Sequence, residues 1–340
     1  MEKIEKKNID HISFARACCA IGIIIYHFFC HSNSNLKFLY ETANISWGSL
    51  FVTVFFSISG AVLYYNYSDI HSLKIFYFKR WKSIFPAFYF CWFIFFIEKV
   101  VIYRQLFWGG NPLKFLLTLF GVDGYFGYLG PNYYTVGEWF LGSIIILYVL
   151  YPLICFLFNK NIFIILGFLV LGYIGVYAIN IFKVPSFRNI IVCLGSFYFG
   201  MISIKYAKVF YKNYIIGICS LIVFVFLCLI KVPLIIIGQL QGFFLFIILN
   251  QLGVFIMQTK LKSIFNLIST NSFYVFLFQH MVIVHILYIV NPTNFYFVIP
   301  LLVLTVLVTV LVSFFYGKFI KYILSSKMFT IVEKKLGTKI

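Results

Sequence analysis

Long apolar runs separated by short polar links make up most of the chain. An α-helix needs about 20 mainly apolar residues to cross a bilayer, and these runs lack the strict alternation of a membrane β-barrel. The pattern therefore predicts an all-α polytopic membrane bundle of about ten transmembrane helices. The predicted spans are Ile12–Cys30, Trp47–Tyr65, Ile84–Tyr103, Trp139–Phe158, Ile162–Phe182, Ile190–Ile204, Tyr214–Ile230, Leu234–Met257, Ile264–Val290 and Phe295–Phe315.

One aromatic stretch, from Phe115 to Tyr134, does not fit a lipid-exposed helix. Irregular backbone within a membrane protein is tolerated where protein or water surrounds it. We therefore expect a structured loop on the outer side, partly re-entrant. The residues that interrupt a helix here are Gly121, Gly124, Gly127, Gly130 and Pro131.

The composition supports a membrane protein and excludes other classes. Of the 340 residues, 63% are apolar and 11% are charged, whereas a soluble domain has about 45–50% apolar and about 25% charged residues. The eight cysteines lie within apolar runs, without the paired spacing of a zinc site or a disulfide framework. No small-residue cleavage site follows the first apolar run, so we expect that run to be an uncleaved span.

Basic residues outnumber acidic ones by 27 to 9 and cluster in the links. Nineteen fall in the tail and in links on the N-terminal side, and six fall in the opposite links. Because Lys and Arg are retained in the cytoplasm, both termini are predicted to be cytoplasmic. The excess then indicates topology and contact with membrane lipid rather than with nucleic acid. We expect one integral membrane domain over residues 1–340, with spans over about 12–315 and a basic cytoplasmic tail over 316–340.

The first span carries two ionisable residues, Arg16 and His27, eleven positions apart. At about 100° per residue they share one face of the helix, about 16 Å apart along its axis. Such residues inside a membrane are functional candidates, and the pair suits a substrate whose anionic head stays near the cytoplasm while its reactive end lies deeper. The alternative is structural: Arg16 extends to the interface and His27 caps a carbonyl of a neighbouring helix.

An arginine followed by ten residues and a histidine on the first span resembles the membrane-bound acyltransferase-3 family, which transfers acyl groups to cell-surface sugars. Further segments match that family in order and extend the resemblance from about Asn8 to His280. They are Phe55–Gly60, the basic link Phe78–Pro86, Trp139–Leu141 followed by Tyr148 and Pro152, and Ser272–His280.

One position departs from the family pattern. The family often has Arg-x-x-Arg before the proline of the basic link, and here Ser83 replaces the second arginine. Lys82 is a candidate substitute, but as a point charge and not as a bidentate fork.

The resemblance implies an acyl-CoA donor, usually acetyl-CoA, as a co-substrate and no permanently bound cofactor. The cationic residues near the cytoplasm are then expected to bind the phosphates of the donor. A plain positive-inside flank is the alternative for the lysines and arginine of the link. The predicted donor-binding residues are Arg16, Lys79, Arg80 and Lys82.

His27 is the predicted general base, because imidazole accepts protons near neutral pH. His280 should lie at similar depth and contact or orient the reacting groups, or else pack as a structural histidine. Glu138 is expected to orient an imidazole or bind the acceptor, unless it only stabilises its helix N-terminus. Trp139 and Ser59 are predicted to contact the acceptor.

Histidine spacing also permits a metal site. His27 and His31 are four positions apart and His280 and His285 five, but no cysteine or carboxylate completes a ligand set with typical zinc spacing. The sequence therefore predicts no metal.

These observations predict a multi-pass protein of the bacterial cytoplasmic membrane. The expected activity moves an acetyl group from acetyl-CoA to a hydroxyl of a surface polysaccharide or its lipid-linked precursor, with succinyl left open as an alternative acyl group. A transporter or flippase of lipid-linked sugars is the rival, although the halves lack the internal symmetry of many transporters. A structural subunit of a glycan-assembly complex is a third alternative.

Overall fold

The computed structural model describes residues 9–32, 40–179, 184–232, 235–290, 295–326 and 329. Within these ranges the secondary structure is helical, with no strand beyond one isolated bridge between Glu41 and Ser46. The helices of the described part are α1 Asp10–His31, α2 Trp47–Tyr67, α3 Leu73–Tyr103, α4 Phe115–Leu119, α5 Glu138–Lys160, α6 Ile162–Ile179, α7 Ile190–Lys205, α8 Ala207–Lys212, α9 Tyr214–Leu229, α10 Ile235–Ile256, α11 Lys262–Ile289 and α12 Phe295–Leu324.

Each predicted span overlaps a helix of the described residues, which confirms the all-α polytopic bundle. Among the residues that the structure describes, eight helices are long and apolar enough to cross a membrane, and α7 and α9 are shorter apolar helices. These two correspond to runs that are already short in the sequence. The sidedness predicted from the basic residues stays a prediction.

Two helices extend well beyond their predicted apolar spans. α3 begins at Leu73, where the Ser72 side chain accepts a hydrogen bond from the Ile75 amide, so the basic link is helical. α12 continues to Leu324, so the first part of the predicted tail is helical as well. Several predicted topology markers lie outside the described residues: Lys3, Lys6, Lys7, Lys37, Lys183, Lys327, Lys334, Lys335 and Lys339.

α1 lies inside the bundle and packs against α2, α10 and α11. The Lys262 Nζ at the start of α11 lies 2.5 Å from the Asp10 Oδ2 at the start of α1. The two helices therefore begin at the same end of the bundle and run parallel. This arrangement brings the C-terminal halves of α1 and α11, which carry His27 and His280, to one level.

Small residues bring α2 and α7 into close contact. A side chain at Gly60 would overlap the Phe197 carbonyl, and one at Gly200 would overlap the Ser57 carbonyl. The Ser57 Oγ donates a hydrogen bond to the Ser196 carbonyl at 3.0 Å. Such close backbone approach is typical of helix pairs in membranes, and it holds the α2 motif Phe55–Gly60 in a fixed position beside α1.

Candidate active site

A cavity of about 600 Å³ runs between α1, α2, α3, α5 and α11. Arg16 and His27 both line it, in agreement with their placement on one face of α1. We call the part lined by Arg16 and Arg80 the arginine end, and the part lined by His27 and Glu138 the histidine end. His280 lies beside Glu138 at this end but does not line the cavity itself. The cavity therefore links a cationic group to an imidazole through the interior of the bundle.

At the arginine end, tyrosines position the Arg80 guanidinium. Arg80 donates a hydrogen bond to the Tyr67 hydroxyl at 3.2 Å, and its guanidinium carbon lies 5.1 Å from the centre of the Tyr67 ring. The Tyr148 ring, which lines the cavity, lies 5.9 Å from the same carbon. Cation–π contacts hold the guanidinium without neutralising it, so its charge remains available to an anion.

The two lysines of the basic link do not line this cavity. Lys79 is exposed, and the Lys82 Nζ lies 5.9 Å from the centre of the Phe329 ring. Ser83, which occupies the position of the family's second arginine, does line the cavity, and its hydroxyl donates to the Arg80 carbonyl at 2.8 Å. Donor binding by the lysines stays a prediction without support from the cavity.

At the histidine end, Glu138 lies beside both predicted histidines. Its Oε1 is 3.3 Å from the His27 Nε2 and 3.9 Å from the His280 Nδ1. Gln279, on the same helix as His280, directs its Nε2 to that oxygen at 3.5 Å. The side chains of His27 and Glu138 are only 17% and 18% exposed. This shielding strengthens the interaction between an imidazole and a carboxylate.

The backbone holds Glu138 in an uncommon conformation. Its φ of +43° follows Gly137, whose φ is +94°. A non-glycine residue at positive φ is uncommon and often marks a functional site. A side chain on Gly124 would overlap the Glu138 carbonyl, so Gly124 lets the preceding loop pack directly beneath Glu138.

The loop between α3 and α5 is structured, as its glycines and prolines predict, and a buried aspartate organises it. The Asp123 carboxylate accepts hydrogen bonds from the Thr118 hydroxyl and the Gly124 amide, each at 2.9 Å. The Asn132 side chain donates to the Asp123 carbonyl at 2.8 Å. Burial raises the pKa of Asp123 to about 6, against the opposing effect of the hydrogen bonds that its carboxylate accepts. The network fixes Gly124, and through it the start of α5.

Trp139 and Ser59 also line the cavity, together with Arg188, one of the six basic residues in the links opposite the N-terminal side. The Arg188 guanidinium carbon lies 5.7 Å from the centre of the Trp139 ring. Arg188 belongs to a short link before α7, and no local pattern connects that link to α5. Gln279, which precedes His280 in the last motif, also lines the cavity and has no role predicted from the sequence.

A third imidazole, that of His31, lies beside the histidine end. Ligand atoms of His27, His31 and His280 all lie within 4.8 Å of one another. The sequence predicts no metal because the spacing along the chain is incomplete. Folding brings together the helical pair on α1 and a histidine from α11, and neutral imidazoles of this kind are able to hold a divalent metal ion.

Comparison with known families yields one match. The family model described as an acyltransferase domain, that of the acyltransferase-3 family, matches residues 9–315, which includes the whole cavity. Comparisons with curated proteins and with solved structures found no match.

Proposed function

The chain belongs to the acyltransferase-3 family, and from this premise we propose that it transfers an acetyl group from acetyl-CoA to a sugar hydroxyl. The acceptor is a surface polysaccharide or its lipid-linked precursor, and the protein works in a bacterial cytoplasmic membrane. One observation carries the proposal: a single cavity connects two arginines to a histidine–glutamate pair.

The arginine end suits the donor. Coenzyme A carries several phosphate groups on one end and the thioester on the other. Arginine binds phosphate oxygens through two parallel hydrogen bonds, and both Arg16 and Arg80 line the cavity. With the phosphates there, the pantetheine arm follows α1 toward His27, about 16 Å further along the axis.

His27 is the proposed general base. An imidazole that donates its Nε2 hydrogen to Glu138 presents its Nδ1 lone pair as a proton acceptor. As the acceptor hydroxyl attacks the thioester carbonyl, its proton passes to His27. The new C–O bond forms, the C–S bond breaks, and the proton is returned to the coenzyme A thiolate. Glu138 stabilises the imidazolium that exists between these steps.

The acceptor enters at the histidine end. A sugar ring is able to pack on an aromatic face, and its hydroxyls need polar partners. Trp139, Arg188 and Gln279 supply both kinds of group within the same cavity. We place Trp139 and Ser59 as acceptor contacts, with Arg188 next to the Trp139 ring.

The test is transfer of label from acetyl-labelled acetyl-CoA by the purified full chain in lipid nanodiscs. Surface glycan extracts, with and without their lipid-linked precursors, serve as acceptors. We expect label in an ester-linked product whose mass rises by one acetyl group and which mild alkali releases. Movement of lipid-linked sugar across vesicles without label transfer would contradict the proposal and support the transporter alternative.

A further inference from the structure

The histidine end holds more imidazoles than a single general base requires. His27 and His31 are one helical turn apart on α1, and His280 faces them from α11. The ring centres lie 4.7 Å apart for His31 and His280 and 5.4 Å apart for His27 and His280. His31 does not line the cavity and is exposed, so acyl transfer as proposed above leaves it without a role.

We infer that His27, His31 and His280, with Glu138, form a Zn²⁺ site whose occupation blocks His27. Zinc takes imidazole nitrogen at about 2.0–2.1 Å and carboxylate oxygen at similar distances, in a tetrahedral arrangement. Three imidazoles and one carboxylate provide that donor set. Metal binding does not depend on the proposed function; the blocking of transfer does.

The geometry needs only small side-chain movements to accept the ion. Tetrahedral ligands lie about 3.4 Å apart for bonds of this length, and the three imidazoles are already within 4.8 Å of one another. The Glu138 Oε1 lies 3.3 Å from the His27 Nε2. His31 is exposed and is able to rotate toward the others.

Two histidines outside this group, His71 and His285, have different surroundings. His285 pairs with Glu98, with an Nε2 to Oε1 distance of 2.9 Å, and its Nδ1 lies 2.7 Å from the Met281 carbonyl. His71 is highly exposed and lies near Asp69. Among the described residues, only the group at the histidine end combines three potential ligands. His71 and His285 are therefore matched controls.

Binding is measured on the purified full chain in nanodiscs, first with Co²⁺ and then by displacement with Zn²⁺. Tetrahedral Co²⁺ gives intense visible absorption and replaces zinc in such sites. We expect one ion per chain in the unmodified protein. His31→Asn should weaken affinity by at least about 10-fold, while His285→Asn and His71→Asn should bind as the unmodified protein does. Equal affinity after His31→Asn, or a thiolate-to-cobalt band from cysteine ligation, would overturn the site.

The inhibition assay adds Zn²⁺ to the labelled acetyl transfer reaction. Without metal, His31→Asn should transfer acetyl at the unmodified rate, and it should need at least about 10-fold more Zn²⁺ for half inhibition. Transfer that continues with the site filled would refute the blocking of His27. If no acyl transfer occurs but Co²⁺ binding still depends on His31, the proposed function fails and the metal site stands. If acyl transfer occurs but Co²⁺ does not bind, the proposed function stands and the metal site fails.

Discussion

The two ends of the cavity differ in how their charges are balanced. At the histidine end, Glu138 accompanies the imidazoles of His27 and His280. At the arginine end, Arg16 and Arg80 line the cavity beside tyrosines, and Glu138 is the only carboxylate among the described residues that line the whole cavity. A partly buried cation without a counter-ion is costly.

From this difference we expect the histidine end to act in catalysis and the arginine end to act in donor binding. Under the proposed function, the phosphates of the donor supply the missing negative charge at the arginine end. The histidine end already contains an imidazole paired with a carboxylate. Variants at the histidine end should therefore lower kcat, and variants at the arginine end should raise the KM for the donor.

The largest effect is expected from His27→Ala. Loss of a general base should lower kcat by roughly 10³-fold, with an unchanged amount of protein in the membrane and an unchanged melting temperature. Initial rates of labelled acetyl transfer measure the loss. His71→Ala is the control, because the His71 side chain is 87% exposed and lies outside the cavity. Full activity of the His27→Ala variant would contradict the role of His27 as general base.

Glu138→Gln should have the next largest effect. The amide keeps the shape of the side chain but removes the charge that stabilises the His27 imidazolium, so kcat should fall roughly 10²-fold while the donor KM stays unchanged. Glu138→Asp should restore part of the rate. Glu98→Gln is a matched control, because Glu98 pairs with His285 in a second carboxylate–imidazole contact outside the cavity. A higher donor KM instead of a lower kcat would contradict the expected role of the histidine end in catalysis.

Arg80→Gln should have the smallest effect of the three and act on binding. Loss of a charged hydrogen bond of about 1.5–3 kcal/mol corresponds to a donor KM at least about 10-fold higher, with kcat retained. Lys74→Gln, at an exposed lysine of the same helix that lies outside the cavity, should change neither constant. With acetyl-pantetheine, which lacks the phosphates, Arg80→Gln should behave like the unmodified protein. Equal effects on both donors would exclude phosphate binding by Arg80.

The helices were predictable from the sequence because the bilayer imposes a minimum apolar length, but their ends were not. Basic residues mark where a span leaves the apolar layer, whereas a helix ends where its backbone hydrogen bonding ends. α3 therefore begins at Leu73 instead of Ile84, and α12 continues to Leu324.

The candidate site was predictable where its residues share one helix. Arg16 and His27 follow from the period of α1. The same period explains which residues of the basic link face the cavity. Residues one and two positions apart are about 100° and 200° apart on a helix. Arg80 and Ser83 then share the cavity side, and Lys79 and Lys82 lie elsewhere. Arg188 and Gln279 join the site only through contacts between distant segments, which a single sequence does not encode as a pattern.

The continuous helix α1 has a consequence for the choice of acyl group. It extends without interruption from Asp10 to His31, so the axial spacing of Arg16 and His27 is fixed at about 16 Å. Every coenzyme A thioester held by its phosphates would then present its carbonyl carbon at the same level. A longer acyl chain would have to extend beyond His27, toward Glu138 and Trp139. The side chains beyond the His27 imidazole therefore determine which acyl groups the site accepts. Substituting these side chains should change the preference for the acyl group without altering the binding of coenzyme A.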